Sequence, residues 1–199
     1  LDLIGALKKP IIATLHTVLP SPLEKQRAIL SELCAKSKKV VTMAKSTRSI
    51  LRAVYEADPN KIEMIPHGVP SFDLPSRETL KREMGMEDRT VITTFGLISP
   101  GKGLEYGIEA IGRVAKKHPE VLYLIMGQTH PVIKRQQGEV YREGLEKKVK
   151  ELGLENNVRF INKYLTKEEI VRGLRLSDIY MTPYLGRDQA VSGTLAYAV

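Results

Sequence analysis

Apolar residues in this chain follow two alternating rhythms. Short unbroken runs, bounded by Gly, Pro, Asn or Asp, give way to longer stretches where apolar positions recur every three or four residues. The first kind reads as strands buried on both faces, the second as helices with one inward side. Strands are predicted over residues 10–18 (PIIATLHTV), 39–44 (KVVTMA), 62–65, 91–98 (VITTFGLI), 121–126 (VLYLIM), 158–161 and 179–182. Helices are predicted over 22–36, with Leu23, Leu30 and Leu33 inward, and from a Ser46 or Thr47 cap, with Ile50, Leu51 and Val54 inward. Another runs over 77–84. The next opens near Lys102 and places Leu104, Ile108, Ile111, Val114 and Ala115 on one face. A helix carrying Leu145, Val149 and Leu152 ends at Gly153, a C-cap residue, and the last two span 167–176 and start at Ser192. Between the strand ending at 126 and the Leu145 helix, THPVIK reads as a loop. Strand and helix alternate with no hairpin signal, so the class is α/β, with parallel sheets covered on both faces by right-handed crossovers.

The pattern stops between residues 66 and 75, which hold three prolines, a glycine and no periodicity. This predicts a linker over 67–76, joining one sheet unit in residues 1–66 to a second in 77–199. The chain opens without Met and closes on Tyr197-Ala198-Val199 in a helical pattern, so a fragment with both units incomplete is expected.

Composition narrows the picture modestly. The 199 residues are 42% hydrophobic and 27% charged, as in folded domains rather than disordered chains. No apolar run approaches the ~20 residues of a membrane span, and the opening lacks a cleavable apolar core. The single Cys34 excludes an intrachain disulfide framework and a cysteine zinc site, and its place beside Leu30 and Leu33 predicts burial. The net charge of +8 favours anionic partners. Without Trp and with few aromatics, base stacking has little support, so no nucleic acid is expected. A cytoplasmic protein is expected. The charge admits peripheral contact with the inner face of a membrane, although no strongly amphipathic basic helix stands out.

Candidate chemistry centres on TVITTFGLISPGKG, residues 90–103. A strand here delivers a glycine-rich turn to a helix N-terminus, where free N–H groups and the positive end of the helix dipole favour an anion. Gly101 and Gly103 permit close approach of a phosphate, and Lys102 adds a mobile charge. Taken alone, the stretch fits an ordinary strand-to-helix turn equally well. In parallel sheets, however, ligands bind at the carboxyl ends of strands. His16, Ser99 to Lys102, Gly127 to His130, and Asp188 all fall there.

ATLHT, IPHGV, FGLISPGKG, the strand ending in Gly127 and TPYLGRDQAVSGTLAYA stand together in one order. That ordered set resembles the retaining nucleotide-sugar glycosyltransferases of the GT-B fold (glycosyltransferase family 4, group 1), which include bacterial mannosyltransferases and sucrose synthase. The resemblance spans nearly the whole chain. It implies two Rossmann-like domains, a UDP- or GDP-sugar donor, and hexosyl transfer to a sugar or glycoconjugate acceptor with retained configuration, as in polysaccharide biosynthesis. Lys102 matches the lysine that stabilises charge on the departing diphosphate, with Gly96 and Ser99 lining the approach. His16 matches the histidine near the transferred sugar; a histidine fixing a local turn also fits. The resemblance implies independence of divalent metal, which the lack of an Asp-x-Asp at a strand end fits, so no metal and no cofactor are expected. His67 replaces the Asn of a hinge-side turn and reads as structural.

Two departures from the family pattern count. Leu97 stands where an Arg usually follows the strand glycine. Of two glutamates eight positions apart, Asp188 occupies the first place and Ala196 the second, and an alanine cannot hold a ribose. The helix opening at Ser192, Gly193 and Thr194 could hold a phosphate instead. His130 could reach the donor, or sit in an ordinary loop insertion. A catalytically silent binding or scaffold relative and a sugar-nucleotide 2-epimerase remain the alternatives, and the fragment alone is expected to be inactive.

Overall fold

The computed structural model describes residues 2–186 and 192–198. They divide into two compact units. The first takes the residues up to Gly68, with Ser192 and Gly193; the second runs from Val69 to Gly186 and resumes at Thr194.

In the first unit α1 (Asp2–Ala6) precedes β1 (Ile12–Leu15), α2 (Glu24–Lys36), β2 (Lys39–Thr42), α3 (Lys45–Tyr55), a 3-10 turn and β3 (Ile62–Met64). The strands pair in parallel in the order β1-β2-β3. Val40 and Leu51 are fully buried at the centre, and Cys34 packs with them as expected. Three local expectations fail. The first strand is shorter than 10–18. The first long helix starts at Glu24, so Leu23 lies just outside it, 72% exposed, its N–H bonded to the Gln26 side chain at 2.8 Å. Neither Ser46 nor Thr47 caps α3; Ala44 holds that position with no side-chain bond. Thr47 recurs with Leu51 and Tyr55 at four-residue spacing on the buried face, which turns its hydroxyl away from the cap.

The second unit carries α4 (Arg77–Glu83), β4 (Thr90–Phe95), a 3-10 turn at Pro100–Lys102, α5 (Leu104–Val114) and β5 (Val121–Met126). It continues through α6 (Pro131–Gln137), α7 (Val140–Glu151), β6 (Val158–Ile161), α8 (Lys167–Leu176) and β7 (Ile179–Tyr180) to α9 (Gly193–Ala198), whose first residue belongs to the other unit. The sheet is parallel, in the order β6-β5-β4-β7. β5 is buried at every position, as an unbroken apolar run in a central strand requires. Alternation sends Ile92, Tyr123 and Ile125 to one core with α5 and α7, and Val91, Phe95, Leu122 and Leu124 to another with α4 and α8. The α/β architecture with parallel sheets is as expected.

The differences here are also local. β4 ends at Phe95 because Gly96 takes φ +137°, and only a single bridge from Ile98 to Thr129 follows. The segment expected as a THPVIK loop forms α6: Pro131 fits the first helical position and the His130 ring caps it. Gly153 ends α7 as expected. Its N–H and that of Leu154 return to the Lys150 and Val149 carbonyls in a Schellman motif. Leu152 and Val114, expected inward, are 47% and 39% exposed because each lies where its helix unwinds. Among the described residues no helix is long and apolar enough to cross a membrane.

Candidate functional site

The carboxyl ends of β4 and β5 are shaped by two glycines. Gly96 and Gly127 both take φ +137°. Their N–H groups extend the ladder, to the Met126 and Ile161 carbonyls at 2.9 Å each. A Cβ on Gly127 would lie 2.1 Å from the Gly96 carbonyl oxygen, so the two strand ends touch backbone to backbone. Beyond them Ile98 and Thr129 pair once more, with the His130 N–H on the Ile98 carbonyl at 2.8 Å.

From Ser99 the chain turns tightly. The Lys102 N–H donates to the Ser99 carbonyl at 3.0 Å and the Gly103 N–H to Pro100 at 3.1 Å. These amides are engaged inside the turn, contrary to the expectation that they stand free. The start of α5 is also partnered. The Tyr141 hydroxyl, from α7, donates to Glu105 at 2.5 Å. Burial, together with the Glu105 carboxylate it faces, pushes the Tyr141 phenol well above its ordinary value. The helix dipole therefore meets a carboxylate and a hydroxyl of the protein itself, and among the described residues the Lys102 ammonium stands close to Gly96.

That ammonium is well placed. Its Nζ sits 3.8 Å from the centre of the Tyr184 ring and 3.7 Å from where a Cβ of Gly96 would be. The Tyr184 hydroxyl donates to the Phe95 carbonyl at 3.3 Å and meets the Thr194 hydroxyl at 3.1 Å. Thr194 Cγ2 lies 3.6 Å from the same Gly96 position. Gly96, Lys102 and Thr194, three of the residues named from sequence, thus converge. Gly101 leaves open space, whereas Gly103 is pressed against the Pro183 carbonyl.

A cavity of about 130 Å³ opens beside Gly96 and Gly127, lined also by Leu97, Gln128, Lys163 and Tyr164. Sequence reading placed Gln128 at a ligand-binding strand end but missed Lys163, Tyr164 and Tyr184 as site residues. The end of the 158–161 strand could have pointed to Lys163 and Tyr164, since strand ends are where ligands gather. Lys163 is paired with Glu169 at 2.5 Å, and Tyr164 is 75% exposed.

His130 caps α6, its Nδ1 accepting from the Val132 N–H at 3.2 Å. Thr129 beside it donates to Glu139, which also pairs with Lys134 and Arg142. Those contacts, the Thr129 hydroxyl foremost, hold the Glu139 carboxyl down to about 2. Leu97 lines the cavity where an Arg was looked for, and Ala196 lies on α9. His16 is exposed directly after β1, in the first unit. Also in that unit, the His67 Nδ1 bonds the Gly68 carbonyl at 2.8 Å, and a Cβ on Gly193 would lie 3.0 Å from its Nε2. Ser192 directly precedes α9, and Asp188 lies outside the described residues. Among the described residues no group of three or more His, Cys, Asp or Glu could hold a metal ion.

Residues 76–186, more than half of the chain, match the family model described as Glycosyl transferases group 1. Residues 1–71 match the one described as Glycosyltransferase Family 4. The D-inositol 3-phosphate glycosyltransferase of Segniliparus rotundus is 28% identical over 135 residues, covering 60% of this chain and 30% of the relative. Among solved structures, Anabaena HepE in complex with UDP and glucose superposes with a TM-score of 0.71 at 17% identity, over 96% of this chain and 51% of that one. Sucrose-phosphate synthase from Thermosynechococcus elongatus gives a TM-score of 0.72 at 15% identity, over 98% and 50%. The chain thus spans about half the length of those structures and under a third of the curated relative.

Proposed function

Since the chain belongs to the group 1 glycosyl transferases and shares the GT-B fold of its structural neighbours, we propose that the protein moves a hexosyl group from a nucleotide-sugar donor to an acceptor with retention of configuration. The observation that carries the reading is the Lys102 ammonium stationed over Gly96 at the end of β4. A diphosphate at this strand end lies against a fixed cation. As the sugar departs, negative charge grows on the diphosphate, and the ammonium stabilises it more in the transition state than in the ground state. The UDP present in the HepE structure supports a UDP-sugar; a GDP-sugar fits the same chemistry. The cavity beside Gly127 suits the base, with Tyr164 and Gln128 at its wall. By the family resemblance, His16 is the residue assigned to the transferred sugar. The acceptor is a sugar or glycoconjugate, and no metal enters the scheme because Lys102 takes the charge-neutralising role.

Lys102→Ala in the intact protein lowers turnover by on the order of 10²-fold or more. Turnover equal to wild type would remove the lysine from the mechanism.

A second reading, a catalytically silent relative that binds or scaffolds, draws on Leu97 in the cavity wall and Ala196 on α9. Neither can supply the basic or ribose-gripping group that the family pattern puts there.

A further inference from the structure

We infer that Tyr184 is a positioning residue for Lys102, holding the ammonium over Gly96 before any ligand arrives. The inference rests on the diphosphate reading above and names the group that prepares the site for it.

A lysine leaving a turn has four flexible carbons and many rotamers. Here the face of the Tyr184 ring, 3.8 Å from Nζ, selects among them. The negative face of an aromatic ring attracts a cation. The ring itself is fixed at its far end, where its hydroxyl lies between the Phe95 carbonyl and the Thr194 hydroxyl. Its neighbours in the chain are fastened to the turn that carries the lysine. The Leu185 N–H donates to the Gly101 carbonyl at 3.1 Å, and the Pro183 carbonyl lies where a Cβ of Gly103 would be. The segment after β7 and the turn after β4 are therefore fastened to each other, which holds the ring within reach of the ammonium. Among the described residues this ammonium faces the ring and pairs with no carboxylate. A diphosphate reaching the end of β4 meets a cation already in place and loses less side-chain entropy on binding.

Calorimetry with UDP on the intact protein tests this, using Lys102→Ala, Tyr184→Trp, Tyr184→Phe and Tyr184→Leu, together with Phe side chains of increasing ring fluorination at position 184. Affinity should follow the negative charge on the ring face. Trp and Tyr bind tightest, Phe next, each added fluorine weakens binding, and Leu binds about three- to tenfold more weakly than wild type. Fluorinated rings keep nearly the same shape, so a role in packing alone gives equal affinities across that series, and equal affinities would overturn the inference. Thermal denaturation of each variant identifies any that fold poorly; the comparison within the fluorinated series stands regardless, because all its members lack the hydroxyl alike. Should Lys102→Ala leave UDP affinity unchanged, or should UDP, GDP and ADP all fail to bind wild type, the diphosphate reading falls and takes this inference with it. Weaker binding in Lys102→Ala beside a flat fluorinated series removes only the role of Tyr184.

Discussion

A methyl group on Gly103 would lie 2.3 Å from the Pro183 carbonyl oxygen, while one on Gly101 would meet nothing within 4 Å. Two glycines, with one residue between them, thus have different reasons to be glycine. Gly103 also takes φ +58°, a conformation that L side chains rarely adopt. Gly103→Ala should therefore cost on the order of 2–3 kcal/mol, seen as a lower thermal midpoint. Gly101→Ala should leave stability within about 0.5 kcal/mol. Its effect should appear in UDP titrations, as a loss of roughly tenfold if a phosphate packs where the added methyl stands. A stable Gly101→Ala variant with undiminished UDP affinity would show that no phosphate approaches Gly101 that closely. Lys102 shows the same division at side-chain level: its charge and place in the turn are plain from sequence, but the ring that orients it comes from a distant segment.

At the scale of elements, Glu139 ties the end of β5 to α6 and α7. It accepts from Thr129, pairs with Lys134 at 3.0 Å, and lies 3.1 Å from Arg142. All three contacts favour the ionised carboxylate, so its value in the folded state, about 2, lies below the ordinary 4.5. A depressed carboxyl stabilises the fold fully above the unfolded value and loses that stabilisation as pH falls through the folded one. Denaturant titrations should show part of the stability vanishing between about pH 4.5 and 2. Glu139→Gln should lower stability near neutrality by on the order of 1 kcal/mol and flatten that acid limb. An unchanged pH dependence would show that the network contributes nothing. What the sequence did not show was the helix these residues join, because THPVIK reads as a loop. Proline reads as a breaker unless the residue before it can cap, and a histidine cap is not a strong signal. The caps at Gly153 and at Thr166, whose hydroxyl accepts from the Glu169 N–H, follow local rules, and Gly153 was readable in advance.

For the whole molecule, the question is whether the family's chemistry survives Leu97 and Ala196. A screen of UDP, GDP and ADP by calorimetry on the intact protein separates the readings. The transferase reading expects one diphosphate to bind clearly better than the others. The silent-relative reading expects none to bind. Release of free diphosphate only in the presence of an acceptor would set aside the 2-epimerase alternative.

The sequence by itself determined most of the element types, their alternation and the parallel sheets, and it drew attention to the stretch that carries Lys102. Those follow from local physics: the period of apolar positions, the stops set by Gly and Pro, and the absence of hairpin turns. The ordered motifs carried the family as well. Tertiary structure alone decided that the turn amides bond to the turn itself, that Tyr141 and Glu105 occupy the start of α5, and that Tyr184 and Thr194 gather with Lys102 around Gly96. The physical reason is distance along the chain. A crossover sheet brings together strand ends that many residues separate, and no local pattern records which side chains will meet there.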